Sequence, residues 1–180
     1  MDAALIGRLE RHLDKVEIEE ALYRYCRAMD RGDTEMLKTV FHDDATVNYG
    51  VFRGRASETL FASSEDSPWQ SMQHTVATAL IEIDDDHALS EAHFIAYIFR
   101  KGDNGPVDCW SSGRYIDRFE RRSGHWAIAH RDVVHTWSRI EPAGARMWEH
   151  GPLKGAVTLA RRDREDPIYA ALGRFRGGRD

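Results

Sequence analysis

His74 lies in a stretch, Ser71 to Ile83, where polar and apolar residues alternate. Period-two counting puts its imidazole on the same strand face as Met72, Val76, Thr78 and Leu80. A ring on a mostly apolar wall resists being charged, so a histidine that takes and returns protons there needs a carboxylate to fix its tautomer and stabilise the imidazolium. Asp30 is the candidate. It falls in what reads as the last turn of a helix, where the negative helix end disfavours a surface carboxylate by about 0.3–1 kcal/mol and a cationic partner would offset that cost. The chemistry such a pair supports is general acid/base catalysis, with one ring both removing and returning a proton. The residue types alone leave a second alternative open, a satisfied structural histidine and an ordinary carboxylate near a helix end.

The elements that must bring these two together follow from local pattern. Asp14 with Glu17 three residues on resembles a capping box, and Ile18, Leu22, Cys26 and Met29 then recur at helical spacing up to Gly32. Asp33 offers the N-cap of a second short helix that buries Leu37, Val40 and Phe41. A short strand from Thr46 to Tyr49 turns at Gly50 into Val51–Arg53, and a third helix is expected from Arg55 to Ser64, ending before Pro68. Four long β segments follow, Ser71 to Ile83, His87 to Arg100, Val107 to Glu120 and His125 to Trp137, joined by short polar or glycine-containing links that imply antiparallel neighbours.

Helices first and a meander afterwards predict an α+β fold, a cone-shaped barrel in which a strongly curved antiparallel sheet wraps around the N-terminal helices. Residues 1–140 form this domain. Residues 141–180, with Pro142, Pro152 and Pro167, read as a tail with a short helix near Asp166 to Arg174, placed over the pocket mouth or against a neighbouring subunit.

Composition narrows the function classes. The 180 residues are 42% hydrophobic and 31% charged, which suits one globular domain, and the net charge of −5 includes no Lys/Arg block dense enough for nucleic acid. Met1 to Lys15 lacks the uninterrupted apolar core of a signal peptide, and no stretch suits a membrane helix. Cys26 and Cys109 stand alone, as fits a reducing cytoplasm. Although His42-Asp43-Asp44 and the pair His130 and His135 could attract a metal, there is no His-x-His pair, HExxH helix or cysteine cluster, so neither a metal nor another cofactor is expected. Neither cysteine nor any serine stands in a nucleophile elbow. The expected partners are a hydrophobic small molecule, with Phe52, Trp69, Phe94 and Trp110 available to contact it, and further copies of the chain in a dimer or trimer.

The strings YRYCRAMDRGD (Tyr23 to Asp33), DATVNY (Asp44 to Tyr49), MQHTV (Met72 to Val76) and GHWAIAHRD (Gly124 to Asp132) resemble the SnoaL-like branch of the nuclear transport factor 2-like superfamily. Within that branch the chain is most similar to the scytalone and bile-acid 7α-dehydratases and the hexachlorocyclohexane dehydrochlorinases. The resemblance implies a cone-shaped, often trimeric α+β barrel with Asp30 and His74 as its dyad. Tyr49 matches a tyrosine that polarises a substrate carbonyl in the dehydratases, and Tyr25 matches a tyrosine of the bile-acid enzyme where the dehydrochlorinase has a lysine. His93 matches a second histidine of scytalone dehydratase, and Arg131 a pocket arginine of the dehydrochlorinase. Met29 and Tyr115 depart from scytalone dehydratase, which points away from scytalone as substrate. His93, Arg131, Trp110 and Tyr115 are the substrate-binding candidates beside the catalytic set His74, Asp30, Tyr49 and Tyr25. The implied activity is loss of water from a hydrophobic cyclic hydroxy-carbonyl compound. The alternatives are a keto–enol or steroid-type isomerase on the same dyad, or a non-catalytic ligand-binding or dioxygenase small-subunit-like protein.

Overall fold

The computed structural model describes residues 2–50, 52–60 and 68–177. Its elements run α1 (Ala3–Arg31), α2 (Thr34–Lys38), β1 (Phe41–Asn48), β2 (Arg53–Arg55), α3 (Ala56–Thr59), β3 (Trp69–Asp84), β4 (His87–Gly102), β5 (Gly105–Arg122), β6 (His125–Pro142) and α4 (Pro167–Gly177). Two single 3₁₀ turns, Met147–Glu149 and Gly151–Leu153, lie between β6 and α4.

Helix α1 begins at an Asp2 cap, whose side chain accepts from the Ala4 N–H at 3.1 Å, and so extends well upstream of the start that the Asp14/Glu17 spacing suggested. Those two carboxylates do different work. Asp14 accepts from Trp126 Nε1 at 2.9 Å and from Arg121 at 3.0 Å, and Glu17 accepts from the Trp126 backbone N–H at 3.1 Å, so both tie α1 to the β5–β6 turn. The face of α1 that meets the sheet carries Ile18, Ala21, Leu22, Tyr25, Cys26 and Ala28, all buried. Each fully buried Ile or Leu there contributes about 1.5–3 kcal/mol. Leu5, Leu9 and Leu13 at the other end stay exposed. Gly32 stops the helix in a left-handed conformation (φ +62°), and the Asp33 N–H closes the end on the Ala28 carbonyl at 2.9 Å. Asp33 then caps α2 by accepting from the Met36 N–H.

The sheet has six strands in the order β2-β1-β6-β5-β4-β3. It is mixed rather than wholly antiparallel, because β1 pairs parallel with β6, and it has two free ends rather than closing into a barrel. β1 enters from the helical half of the chain and joins the last strand of the meander instead of the first, which sets the two side by side in the same direction. The expected β1–β2 hairpin is antiparallel with Thr46 opposite Arg55, and Val51 lies outside the described residues. Helix α3 is a single turn, and residues 61–64 of the longer helix expected there also lie outside them.

Bulges decide which side chains face α1. Val76 pairs with Phe94 but Ala79 with Ala92, so β3 carries one extra residue between them. Met72, His74 and Val76 therefore share the inner face with Ala79, Ile81 and Ile83, while Thr78 and Leu80, expected beside His74, turn outward, Leu80 with 71% exposure. On β6 one extra residue falls between Ile128 and His130 and another between His135 and Trp137. The first moves Arg131 onto the inner face that Trp126 and Ile128 occupy before it. At the second, Gly113 of β5 lies against β6 so closely that a Cβ would sit 2.0 Å from the Val134 carbonyl oxygen and 3.0 Å from His135 Cα. Backbone cannot yield as a flexible side chain does. Gly113→Ala is expected to cost about 3 kcal/mol, the upper end of overpacking. At about 2–4 °C per kcal/mol for a chain of this length, calorimetry should show a melting temperature roughly 6–12 °C lower.

Candidate active site

The C-terminal turn of α1 and the first half of β3 meet at Asp30 and His74. Asp30 Oδ1 accepts from the His74 backbone N–H at 2.9 Å and lies 2.7 Å from His74 Nδ1. One carboxylate oxygen thus fixes both the strand and the ring that the strand carries. The side chains are largely shielded, His74 at 7% and Asp30 at 16% exposure. With Nδ1 held by the carboxylate, Nε2 is the ring nitrogen left to exchange protons with a bound molecule.

Two tyrosines stand beside the dyad. Tyr25, one turn before Met29 on α1, is buried, and its ring meets that of His74 edge-on at 6.1 Å. Its hydroxyl is 2.7 Å from that of Tyr49, which follows β1, and one of the two donates to the other. Burial pushes the Tyr25 phenol well above its ordinary pKa, and the neighbouring Tyr49 and Tyr115 hydroxyls add to this against the pull of Arg131. Burial also raises Tyr49, with Arg131 and Tyr25 opposing it. Both therefore remain neutral phenols at physiological pH and keep protons to donate. Cys26, next on the helix, is pushed by burial up to about 11 and stays a thiol.

Beneath the tyrosines lies a fully buried ion pair. Arg131 donates through Nε and Nη2 to the two oxygens of Asp117 at 2.6 and 2.7 Å, and both side chains have no exposed surface. The guanidinium is flanked by the rings of Tyr25 at 4.0 Å and Tyr115 at 4.1 Å, and Phe94 stacks flat on Tyr115 at 4.3 Å. Burial works against the Arg131 charge, but the Asp117 carboxylate outweighs it and holds the guanidinium pKa well above its usual value. Arg131 Nη1 is buried without a hydrogen-bond partner. The group nearest in chemistry to that N–H is the Tyr49 hydroxyl, whose pKa Arg131 pulls downward against burial.

The structure therefore gathers Asp30, His74, Tyr25, Tyr49, Tyr115 and Arg131 on the inner side of the sheet. It does not bring His93 and Trp110 there. Phe94 and Ala96 are buried inward on β4, so strand alternation turns His93 outward, where it is exposed opposite Arg114. Trp110 is 40% exposed on the outer face and packs on Tyr97 with ring centroids 4.7 Å apart. Phe52 is exposed as well. Asp117 escaped the sequence reading, although it lies two residues beyond Tyr115 on the same strand face and directly across from Arg131. Among the described residues no group of three or more His, Cys, Asp or Glu side chains is gathered to hold a metal ion, and no helix is long and apolar enough to cross a membrane.

An N-terminal helix lying in a curved, open sheet makes the chain an α+β cone, with an acid–imidazole contact on its inner side. Residues 10–132 match the model of the SnoaL-like domain, and the chain belongs to that family. Solved structures agree on the fold. A hexachlorocyclohexane dehydrochlorinase from Novosphingobium barchaimii LL02 superposes with a TM-score of 0.65 at 15% identity over 74% of this chain and 94% of that one. A protein assigned as a scytalone dehydratase from Novosphingobium aromaticivorans DSM 12444 gives 0.63 at 18% identity, over 76% and 91%. A nuclear transport factor 2-like protein from Salmonella enterica gives 0.59 at 18%, over 77% and 99%. At these identities the likeness is one of fold. None of the curated proteins compared with the chain matches it.

Proposed function

We propose that this protein is a dehydratase that removes water from a hydrophobic cyclic substrate bearing a hydroxyl β to a carbonyl, with no cofactor. The observation that carries the reading is the 2.7 Å contact of Asp30 with His74 Nδ1 beside a pair of neutral phenols. Neutral His74, oriented by Asp30, takes the proton from the carbon between carbonyl and hydroxyl through Nε2. The electrons move onto the carbonyl oxygen, where Tyr49, backed by Tyr25, donates a hydrogen bond to the forming enolate. As the enolate collapses, the C–O bond to the hydroxyl breaks and the imidazolium returns the proton to it, releasing water and restoring the neutral ring. Arg131 lies over the faces of Tyr25 and Tyr115, and its charge makes the Tyr25 and Tyr49 hydroxyls better donors by opposing the effect of burial on their pKa values. The fold it shares with structures named as dehydrochlorinase and dehydratase supports a lyase.

The test is a mass-spectrometric screen of hydroxylated ketones, steroids and aromatic polyketides for loss of water. Products of unchanged mass but shifted double bond would instead identify an isomerase, which needs the same proton abstraction without a leaving group. On a substrate so found, Tyr49→Phe deletes a single donor to the enolate, and a fall in kcat of roughly 10²–10³-fold is expected from that kind of loss. Turnover within about twofold of wild type would place enolate stabilisation elsewhere.

A further inference from the structure

The dyad sits at the carbonyl end of α1, where a carboxylate is electrostatically misplaced and a cation is wanted. Arg31 stands in the last turn itself, and a second cation comes from the tail, beyond the matched residues 10–132. Arg162 Nη1 donates to the carbonyl of Met29, the residue before Asp30, at 2.8 Å. Its guanidinium is partly withdrawn from water, and burial lowers its pKa while the Asp30 charge opposes the loss.

The seat is shaped for this strand of tail. A Cβ on Gly32 would stand 3.2 Å from the Arg162 carbonyl oxygen and 3.8 Å from Arg162 Nη2, at a position whose φ of +62° already favours glycine. Around it the tail is pinned to α1 and the α2 cap. Arg31 pairs with Asp166 at 3.4 Å, and Asp33 receives Arg164 at 3.1 Å and the Tyr169 hydroxyl at 2.7 Å. Asp166 in turn accepts from the backbone N–H groups of Arg161 and Ile168, which closes the segment into a loop before α4. Asp33 is buried, which alone would raise its pKa, yet the Tyr169 and Met36 hydrogen bonds and the Arg164 and Arg27 charges hold it below the ordinary value. Its carboxylate is thus kept charged for the contact.

We propose that Arg162 is a positioning residue for the Asp30–His74 dyad, and that residues 161–169 form a strap holding its guanidinium against the end of α1. The inference rests on the dyad being the working site. Arg162 counters the negative helix end and keeps the Asp30 carboxylate turned toward Nδ1, so that the ring proton stays on Nδ1 and Nε2 stays free to act as base.

The test is nitrogen-15 NMR of the histidine-labelled full-length protein, with the His74 signals assigned by their loss in His74→Ala. The tautomer of a neutral imidazole follows the hydrogen bond that one nitrogen makes, so in Arg162→Gln the fraction protonated on Nδ1 should fall at least about twofold. Arg162→Lys should restore it, and Tyr169→Phe, which loosens the strap without touching the charge, should move it the same way by less. A contact that only anchored the tail would lower the melting temperature of Arg162→Gln and leave the tautomer signature as in wild type; that result overturns the proposal. The readout needs no substrate, so it fails or holds separately from the dehydratase reading.

Discussion

His74→Ala is expected to lower kcat for dehydration by roughly 10²–10⁴-fold, the range that one positioned acid/base group supplies, while substrate affinity changes little. The ring takes the proton and gives it back, so alanine removes both steps at once. The inner wall around it, Met72, Val76, Phe94 and Tyr115, is untouched, and binding by apolar contact should persist. Asp30→Asn tests the second half of the dyad. An amide can still meet Nδ1, but it brings no negative charge to stabilise the imidazolium and can present an N–H in place of the accepting oxygen, which favours the wrong tautomer. Its loss should be smaller than that of His74→Ala if some correctly protonated ring survives. Steady-state kinetics on the substrate found by mass spectrometry measure both. Wild-type turnover in His74→Ala would falsify the catalytic reading, and the inner face would then have to be read as a binding site.

Asp117→Ala should be the most damaging single change to stability. It strands the Arg131 guanidinium, fully buried between Tyr25 and Tyr115, with its main counter-charge gone and more of its donors unpaired. Breaking a buried pair on one side costs about 3–5 kcal/mol. For a chain of this length that corresponds to a melting temperature roughly 6–20 °C lower by calorimetry. The double change Asp117→Leu with Arg131→Met removes both charges together and should recover much of the loss, since an apolar pair of similar volume is often no worse than a buried ion pair. Recovery of stability without recovery of turnover would separate the packing role of the pair from its electrostatic role beneath the tyrosines. A single variant as stable as wild type would show that the charge pair is not what holds this layer together.

The long strands were legible because period-two alternation and turn residues act over a few positions. All four segments of the meander are present; β3 and β5 are longer at both ends, while β4 and β6 start where expected and are longer only at their C-terminal ends. Asp33 at the N-cap of α2 and Gly32 at the end of α1 are equally local, and they stand where the residue types suggest. The start of α1 was not legible, because Asp14 and Glu17 have the spacing of a cap but are claimed by Trp126 and Arg121 from more than a hundred residues away. Counting by twos from His74 fails after Val76, and counting from Trp126 fails after Ile128, since a bulge inverts every later position and leaves no reliable trace in composition.

By itself, then, the sequence determined the α+β class, the succession of elements and the two residue types able to move a proton, all of which depend on short-range pattern. Only the tertiary structure decided that Asp30 touches His74, that Arg131 and Asp117 pair inside while His93 and Trp110 face outward, that β1 runs beside β6, and that Arg162 returns from the tail to the end of α1. Each of these is a meeting of groups far apart in the chain, fixed by strand register and by which charges can be satisfied away from water. Neither constraint is written in any short stretch of residues.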